Sequence, residues 1–453
     1  MKRILSAGLS AVLMVGLLCG CSFKLFKSAE DLYARPQLPE AYQQLENTIN
    51  TVKSALDAED ATPISGANPS AIQLLDLDGD GQEESAAAFF RANAADDPLP
   101  LKIYFFRKAS GGEYNVSYVL EGEGNNIYSI AYEDLDGNGR KEVIVSWQLT
   151  TQANVLTVYS MSPAGVVELL RVTYNESYNL CNLDGSGCRE LVVVQRDVTG
   201  EGVGRADYYS VQEGLLTLTS SAPLSENVTD VLAVRSGQLA GQTPALYVTS
   251  ECPTGQITDI FTLRDGMFTN ITLNGDSRLS NDTLRDYTSV SVTDINQDGV
   301  LEIPVALVLP NVSGESSSTY RVIYWRQFDA AGDPTVVCTT YHNVTDGWYL
   351  VLPSQWDGQI LLERDDRQNY RGERAVVFYH RDEGGTPEKF LTIYYLTGDS
   401  MESRTTIGNR KMLTSTGVAA YSAEFPADGW DCGLTMDQIR ERFRLIAKEW
   451  SPS

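Results

Sequence analysis

Four segments of this chain share one nine-residue pattern. They run from Asp76 to Glu84 (DLDGDGQEE), Asp134 to Glu142 (DLDGNGRKE), Asn182 to Glu190 (NLDGSGCRE) and Asp294 to Glu302 (DINQDGVLE). Each carries an oxygen-bearing side chain at positions 1, 3 and 5, Gly at 6 and Glu at 9. A fifth, worn copy from Ser236 to Pro244 keeps Gly241 at position 6 and has lost the acidic residues. The copies start at 76, 134, 182, 236 and 294, at intervals of 58, 48, 54 and 58. Self-similarity at a near-constant period marks one supersecondary unit used repeatedly. Whatever this region folds into must be built from about five equivalent pieces.

The loop has a definite chemistry. Alternate oxygens at positions 1, 3 and 5 converge on one point, the peptide carbonyl at 7 adds another oxygen, and the Glu at 9 closes an all-oxygen shell of the kind calcium prefers. Glycine at 6 permits the sharp turn, where a Cβ resists positive φ. The candidate calcium ligands are therefore Asp76, Asp78, Asp80 and Glu84; Asp134, Asp136, Asn138 and Glu142; Asn182, Asp184, Ser186 and Glu190; and Asp294, Asn296, Asp298 and Glu302. The third set is the poorest in charge. An EF-hand would place its bidentate Glu at position 12 between two helices. Here position 12 of the first loop is Ala87, and the later loops lead into strand-like runs such as Val143–Trp147 and Leu191–Val194. The loop is thus expected to join two strands. The competing reading is a set of tight metal-free turns, which Asp, Asn and Gly favour on their own. Against it stands the recurrent Glu at 9, which a turn alone does not require.

These four loops resemble the FG-GAP (VCBS-type) repeats of β-propellers, in which a D-x-D-x-D-G-x-x-E/D loop joins the first two strands of each blade. The resemblance covers residues 65–337 and implies a mainly β fold, a propeller-like domain of about five recognisable blades. Propellers of that family usually have about seven blades, so either the ring is smaller or flanking segments complete it.

The flanks read differently. Residues 1–20 combine basic Lys2 and Arg3 with an apolar run, the layout of a secretory signal that is too short to span a membrane. Leu18-Cys19-Gly20-Cys21 resembles a lipobox, which implies diacylglyceryl modification of Cys21 and a tether over 21–38. The implied location is the extracytoplasmic face of a bacterial cell membrane. Within the lead-in, 39–64, Tyr42, Leu45, Ile49, Val52 and Leu56 fall at helical spacing. Residues 338–453 are expected to form a small α+β domain of antiparallel strands closed by a helix from Met436 to Trp450. Thr435 and Gln438 make a capping-box pair at its start. Cys181 and Cys188 are the only locally plausible disulfide among the five cysteines beyond the signal.

With 35 Lys+Arg against 60 Asp+Glu, the formal charge is −25, which argues against nucleic-acid binding. Twelve of the carboxylates stand at positions 1, 3, 5 and 9 of the four loops. The two histidines, His342 and His380, belong to no catalytic motif, and the recognisable acids are already allocated to loops. The expected function is therefore non-enzymatic, a calcium-stabilised, membrane-anchored binding or scaffolding module for an extracellular polysaccharide or protein. The alternatives are a polysaccharide hydrolase or lyase on the same scaffold and a purely structural envelope protein. Trp348, Trp356 and Trp430 are read as core, with a sugar-stacking platform as the alternative.

Overall fold

A computed structural model describes residues 40–93, 97–200, 202–310, 312, 320–381 and 385–446. The signal segment, Cys21, the tether, Ala447 and Trp450 lie outside them. The described chain is mainly β and forms six antiparallel sheets of four or five strands. Sheet I contains β1 (Ala58–Asp60), β2 (Ile72–Leu75), β3 (Ser85–Ala92), β4 (Leu101–Lys108) and β5 (Tyr114–Gly122). Sheet II is the meander β6 (Asn126–Glu133), β7 (Glu142–Thr150), β8 (Ala153–Ser162) and β9 (Gly165–Tyr174). Sheet III repeats it with β10 (Ser177–Cys181), β11 (Glu190–Gln195), β12 (Arg205–Gln212) and β13 (Leu215–Pro223). Sheet IV has β14 (Asp230–Gln238), β15 (Pro244–Cys252), β16 (Gly255–Arg264) and β17 (Met267–Asn270).

Sheet V orders β18 (Ile303–Val308), β19 (Arg321–Phe328), β20 (Pro334–Asn343) and β21 (Trp348–Leu352). Sheet VI is built from β22 (Ile360–Asp365), β23 (Glu373–His380), β24 (Glu388–Thr397), β25 (Lys411–Ser415) and β26 (Ala419–Glu424), with β26 between β24 and β25. Among the described residues three α-helices accompany them: α1 (Glu40–Ala55), α2 (Met401–Arg404) and α3 (Met436–Arg442).

The described residues divide into two compact units. The first holds α1 and sheet I. Leu45 and Ile49, one helical turn apart, pack on Ala86, Ala88 and Phe90 of β3 and Phe106 of β4, with Val52 and Leu56 alongside. The helical spacing of the lead-in is therefore the spacing of one buried face, whereas Tyr42 stays exposed.

The second unit comprises residues 62–70, 76–82 and the chain from Gly122 onward, and carries sheets II to VI. Here the short apolar runs explain themselves. Successive side chains of a strand point to opposite faces, and in β11 both faces are covered. Leu191 and Val193 pack with Ile144, Leu156 and Val158 of sheet II, while Val192 and Val194 pack with Leu246, Val248 and Phe261 of sheet IV. Each such fully buried side chain contributes about 2 kcal/mol. Neighbouring sheets also keep the same order: β10 lies against β14, and β13 lies between β9 and β17.

The six sheets are the five repeat units, sheets I to V, and the antiparallel strands expected after them, sheet VI. Two details differ. The boundary at 337/338 falls inside β20, so the change in sequence character there does not separate two sheets. The closing helix spans only Met436–Arg442, with its capping box formed as expected; Phe443–Leu445 then turns into a strand, β27, paired with β21. Backbone hydrogen bonds from an existing sheet outcompete the helical periodicity of Ile439, Phe443 and Ile446.

Candidate metal-binding loops

The repeated loops occupy one structural position. Residues 76–84 join β2 to β3, 134–142 join β6 to β7, and 182–190 join β10 to β11. The worn copy makes the turn between β14 and β15, closed by Leu239 N–H donating to Thr243 O at 2.8 Å. Residues 294–302 precede β18, and the strand that would come before them is reduced to a single bridge, Thr293 to Glu302. Gly81, Gly139, Gly187, Gly241 and Gly299, all at position 6, have φ between +84° and +96°, the left-handed region glycine enters without penalty. Consecutive loops abut. Lys141 N–H donates to Leu77 O at 3.0 Å, and a Cβ on Gly79 would sit 2.0 Å from Gly139 O.

In the three loops that begin with Asp, that residue organises the turn. Asp76 accepts from Gly79 N–H at 2.7 Å and Gly81 N–H at 2.9 Å; Asp134 accepts from Gly137 and Gly139 N–H, both at 2.8 Å. Asp294 accepts from Asp298 N–H at 3.1 Å and Gly299 N–H at 2.8 Å. In the second, third and fourth loops the Glu at position 9 is buried and braces the loop, whereas Glu84 is half-buried. Leu135 N–H donates to Glu142 Oε2 at 2.9 Å, Leu183 N–H to Glu190 Oε2 at 2.7 Å, and Ile295 N–H to Glu302 Oε2 at 2.8 Å. A turn therefore does have a use for this Glu, because it satisfies a backbone donor at position 2 that burial would otherwise orphan. Sequence reasoning weighed only its value as a ligand.

Three of the four loops nevertheless gather acidic oxygens. One ligand atom from each of Asp76, Asp78, Asp80 and Glu84 lies within 4.8 Å of the others, and the same holds for Asp134, Asp136 and Glu142 and for Asp294, Asp298 and Glu302. Asn138 and Asn296 are tied into their loops, each bonding the neighbouring Asp side chain, Asp136 and Asp298 respectively. The third loop brings only two acids, Asp184 and Glu190, together with Asn182 and Ser186; Ser186 N–H donates to Asp184 Oδ1 at 2.7 Å.

These donor sets fit a hard cation. All their ligands are oxygen, and Glu84 Oε2 is buried with no hydrogen-bond partner. Charge crowding adds a reason. Burial, and then the nearby Asp298 and Asp294, push the Glu302 carboxyl up to about 7, and burial with Asp184 does the same for Glu190. A cation would relieve both effects.

Two supporting residues lie outside the repeated pattern. Ser160 of β8 donates to Glu142 Oε1 at 3.2 Å. Gln327 of β19 donates through Nε2 to Asp298 Oδ2 and Glu302 Oε1, both at 2.7 Å; turning the amide over presents its oxygen at the same point. Neither residue has a local signal, since each reaches its loop from across the sheet.

Among the other residues singled out, Trp348 and Trp356 are buried core. Trp430 is half-buried and stacks on His380, with ring centroids 4.1 Å apart. Cys181 and Cys188 are free thiols. Among the described residues no helix is long and apolar enough to cross a membrane.

No protein-family model matches the sequence, and no characterised protein matches it. Solved structures similar to parts of the chain include the following two. Rhamnogalacturonan lyase YesW has 13% identity and a TM-score of 0.29, covering 66% of this chain and 58% of its own, so this chain spans little more than half of that protein. A Bacteroides uniformis protein assigned provisionally as a 6-phosphogluconolactonase has 11% identity and a TM-score of 0.30, covering 73% of this chain and 86% of its own. At these scores neither likeness identifies a fold or an activity.

Proposed function

We propose that this chain is an extracytoplasmic lipoprotein, anchored through Cys21, whose sheets form a propeller-type array of FG-GAP/VCBS repeats held by calcium. In this reading it acts by binding or scaffolding a polysaccharide or protein and not by turnover. The observation that carries the reading is the recurrence of all-oxygen acidic clusters in the equivalent loops of sheets I, II and V. The shared order of neighbouring sheets, first strand beside first strand and last beside last, supports the array.

The metal is tested by thermal unfolding of the full-length chain in excess calcium and in chelator. A cation that binds only the folded state raises the midpoint, by about 2.7 kcal/mol of stability for each site at one hundred times its Kd. Coincident curves would reduce the clusters to metal-free turns. The anchor is tested by metabolic labelling with an alkyne fatty acid, which should mark the parent and leave Cys21→Ser unlabelled.

A further inference from the structure

A second feature of the larger unit does not depend on the acidic clusters, although Arg189 of the third loop lines it. A cavity of about 470 Å³ opens between the first strands of sheets II and III, β6 and β10, with residues 65–67 as its third wall. That volume lies within the ~300–1,000 Å³ usual for small-ligand sites. The wall is held in place. Ile64 N–H donates to Ile127 O at 3.1 Å, Ser65 N–H to Tyr128 O at 2.8 Å, and Asn68 Nδ2 to Ile130 O at 3.2 Å, so the segment runs along β6. Gly66, at φ +86°, comes close enough that a Cβ would lie 3.1 Å from Ser129 Cβ.

The lining has a consistent character. Tyr128, Tyr174 and Tyr178 contribute aromatic surface, the last two meeting edge to face at 6.0 Å. Tyr174 and Tyr178 are fixed from behind: their hydroxyls bond Ser146 Oγ at 2.7 Å and Ser129 Oγ at 3.0 Å. The charges present are already paired. Glu176 engages Arg196 at 2.8 Å, and Arg189 engages Glu133 at 3.3 Å. Asn179 accepts Ser236 Oγ at 2.9 Å on its Oδ1, so its amide hydrogens are what it has to give. An anionic ligand would compete with Glu176 and Glu133 for those guanidinium groups, and a cationic one would compete with the guanidinium groups for the carboxylates. Rigid aromatic faces beside hydroxyl and amide groups suit a molecule with apolar C–H faces and a rim of hydroxyls.

We infer that this cavity binds a neutral oligosaccharide, with Tyr128 and Tyr178 as stacking faces and Asn179 as a donor to sugar hydroxyls. The inference rests on the reading of the chain as a binding module, and it names the ligand class. It is independent of the calcium reading.

The test titrates the full-length chain, by calorimetry and saturation-transfer NMR, with cellotetraose, maltotetraose, mannotetraose and chitotetraose and, in a separate arm, a mixture of uncharged tetrapeptides. At least one sugar should bind the parent. Tyr128→Ala should weaken that binding tenfold or more, Asn179→Ala should weaken it several-fold, and the remote, exposed Tyr370→Ala should leave it unchanged. Melting curves of each variant report whether the fold survives; should Tyr128→Ala melt early, Tyr128→Leu, which keeps bulk and removes the ring, takes its place. Sugar binding that persists undiminished in the Tyr128 and Asn179 variants overturns the site while leaving the binding-module reading intact. Binding of peptides and of none of the sugars overturns the ligand class, again with that reading intact. No binding in either arm removes the site and the support it lends to a binding role together.

Discussion

Two glycines two residues apart in the first loop do different work. Gly79 and Gly81 both have positive φ, +74° and +86°. A Cβ on Gly81 meets nothing within 4 Å, whereas one on Gly79 meets the carbonyl of Gly139 at 2.0 Å. Gly81→Ala should therefore cost about 1 kcal/mol, the price of the backbone conformation. Gly79→Ala should cost more than about 2 kcal/mol, because it also pushes two loops apart. Urea unfolding of the two variants checks the order, and equal losses would mean that the loops do not depend on one another's approach. His342 gives the residue-scale pH prediction. It is 8% exposed, stacked at 4.9 Å on Tyr349, and its Nε2 has no hydrogen-bond partner. Burial alone lowers its pKa from 6.5 to about 4. The unfolded chain therefore takes up a proton that the folded chain refuses. The stability it supports is complete above pH 6.5 and is lost as pH falls from there toward 4, by about 3 kcal/mol in all. His342→Phe keeps the stacked ring and removes the titration. Its stability at pH 4.5 relative to pH 7.5 should fall less than the parent's, and parallel pH curves would refute the assignment.

At the level of elements, the second and fourth loops each combine a brace and a ligand set, and the two can be separated at Glu142. Gln at this position keeps an acceptor for Leu135 N–H and bulk beside Ser160, so Glu142→Gln should cost under about 1 kcal/mol in chelator. Glu142→Ala orphans a buried donor and should cost about 2–4 kcal/mol in chelator. If the loop also holds calcium, both variants lose part of the calcium-dependent rise in Tm. If Glu142→Gln retains all of it, the Glu is brace alone. The loops, their inter-strand position and the strands after them were readable because they are local patterns: a glycine at a fixed offset and an apolar run whose period is two. Gln327 and Ser160 were not readable, because a residue that meets its partner across a sheet leaves no trace at neighbouring positions. The end of the chain misled for a related reason. Ile439, Phe443 and Ile446 fit a helical stripe, yet Leu350 and Trp348 offer ready strand partners to Phe443 and Leu445, and no propensity scale contains that offer. Phe443 stacks on Trp348 at 5.5 Å and lies 5.3 Å from the Tyr421 ring. Phe443→Ala should cost about 3–5 kcal/mol, checked by the same urea titration.

In the larger unit, sheets V and VI are bound together by chain order. The whole of sheet VI lies between β21 and β27, the adjacent strands that complete sheet V. One apolar cluster spans both sheets and α3, from Val322 and Trp348 through Phe378 and Ile393 to Ile439 and Phe443. Hydrogen exchange should accordingly show β19–β21 and β22–β26 opening as one cooperative unit. Removing the chain from Thr435 onward should lower protection in both sheets; loss confined to sheet V would show that they open separately. That same arrangement sets a schedule on folding. A ribosome adds about 5–20 residues per second, so roughly 5–20 seconds of synthesis pass between the emergence of β21 and of its last partner. Throughout that interval β21 presents an open edge, and its apolar face lacks Phe443. The sheets earlier in the chain can close as they emerge, whereas sheet V waits for Phe443–Leu445. A chain arrested or clipped near Arg442 would keep an exposed strand available to other unfinished copies, which makes the last few described residues a safeguard against aggregation out of proportion to their number.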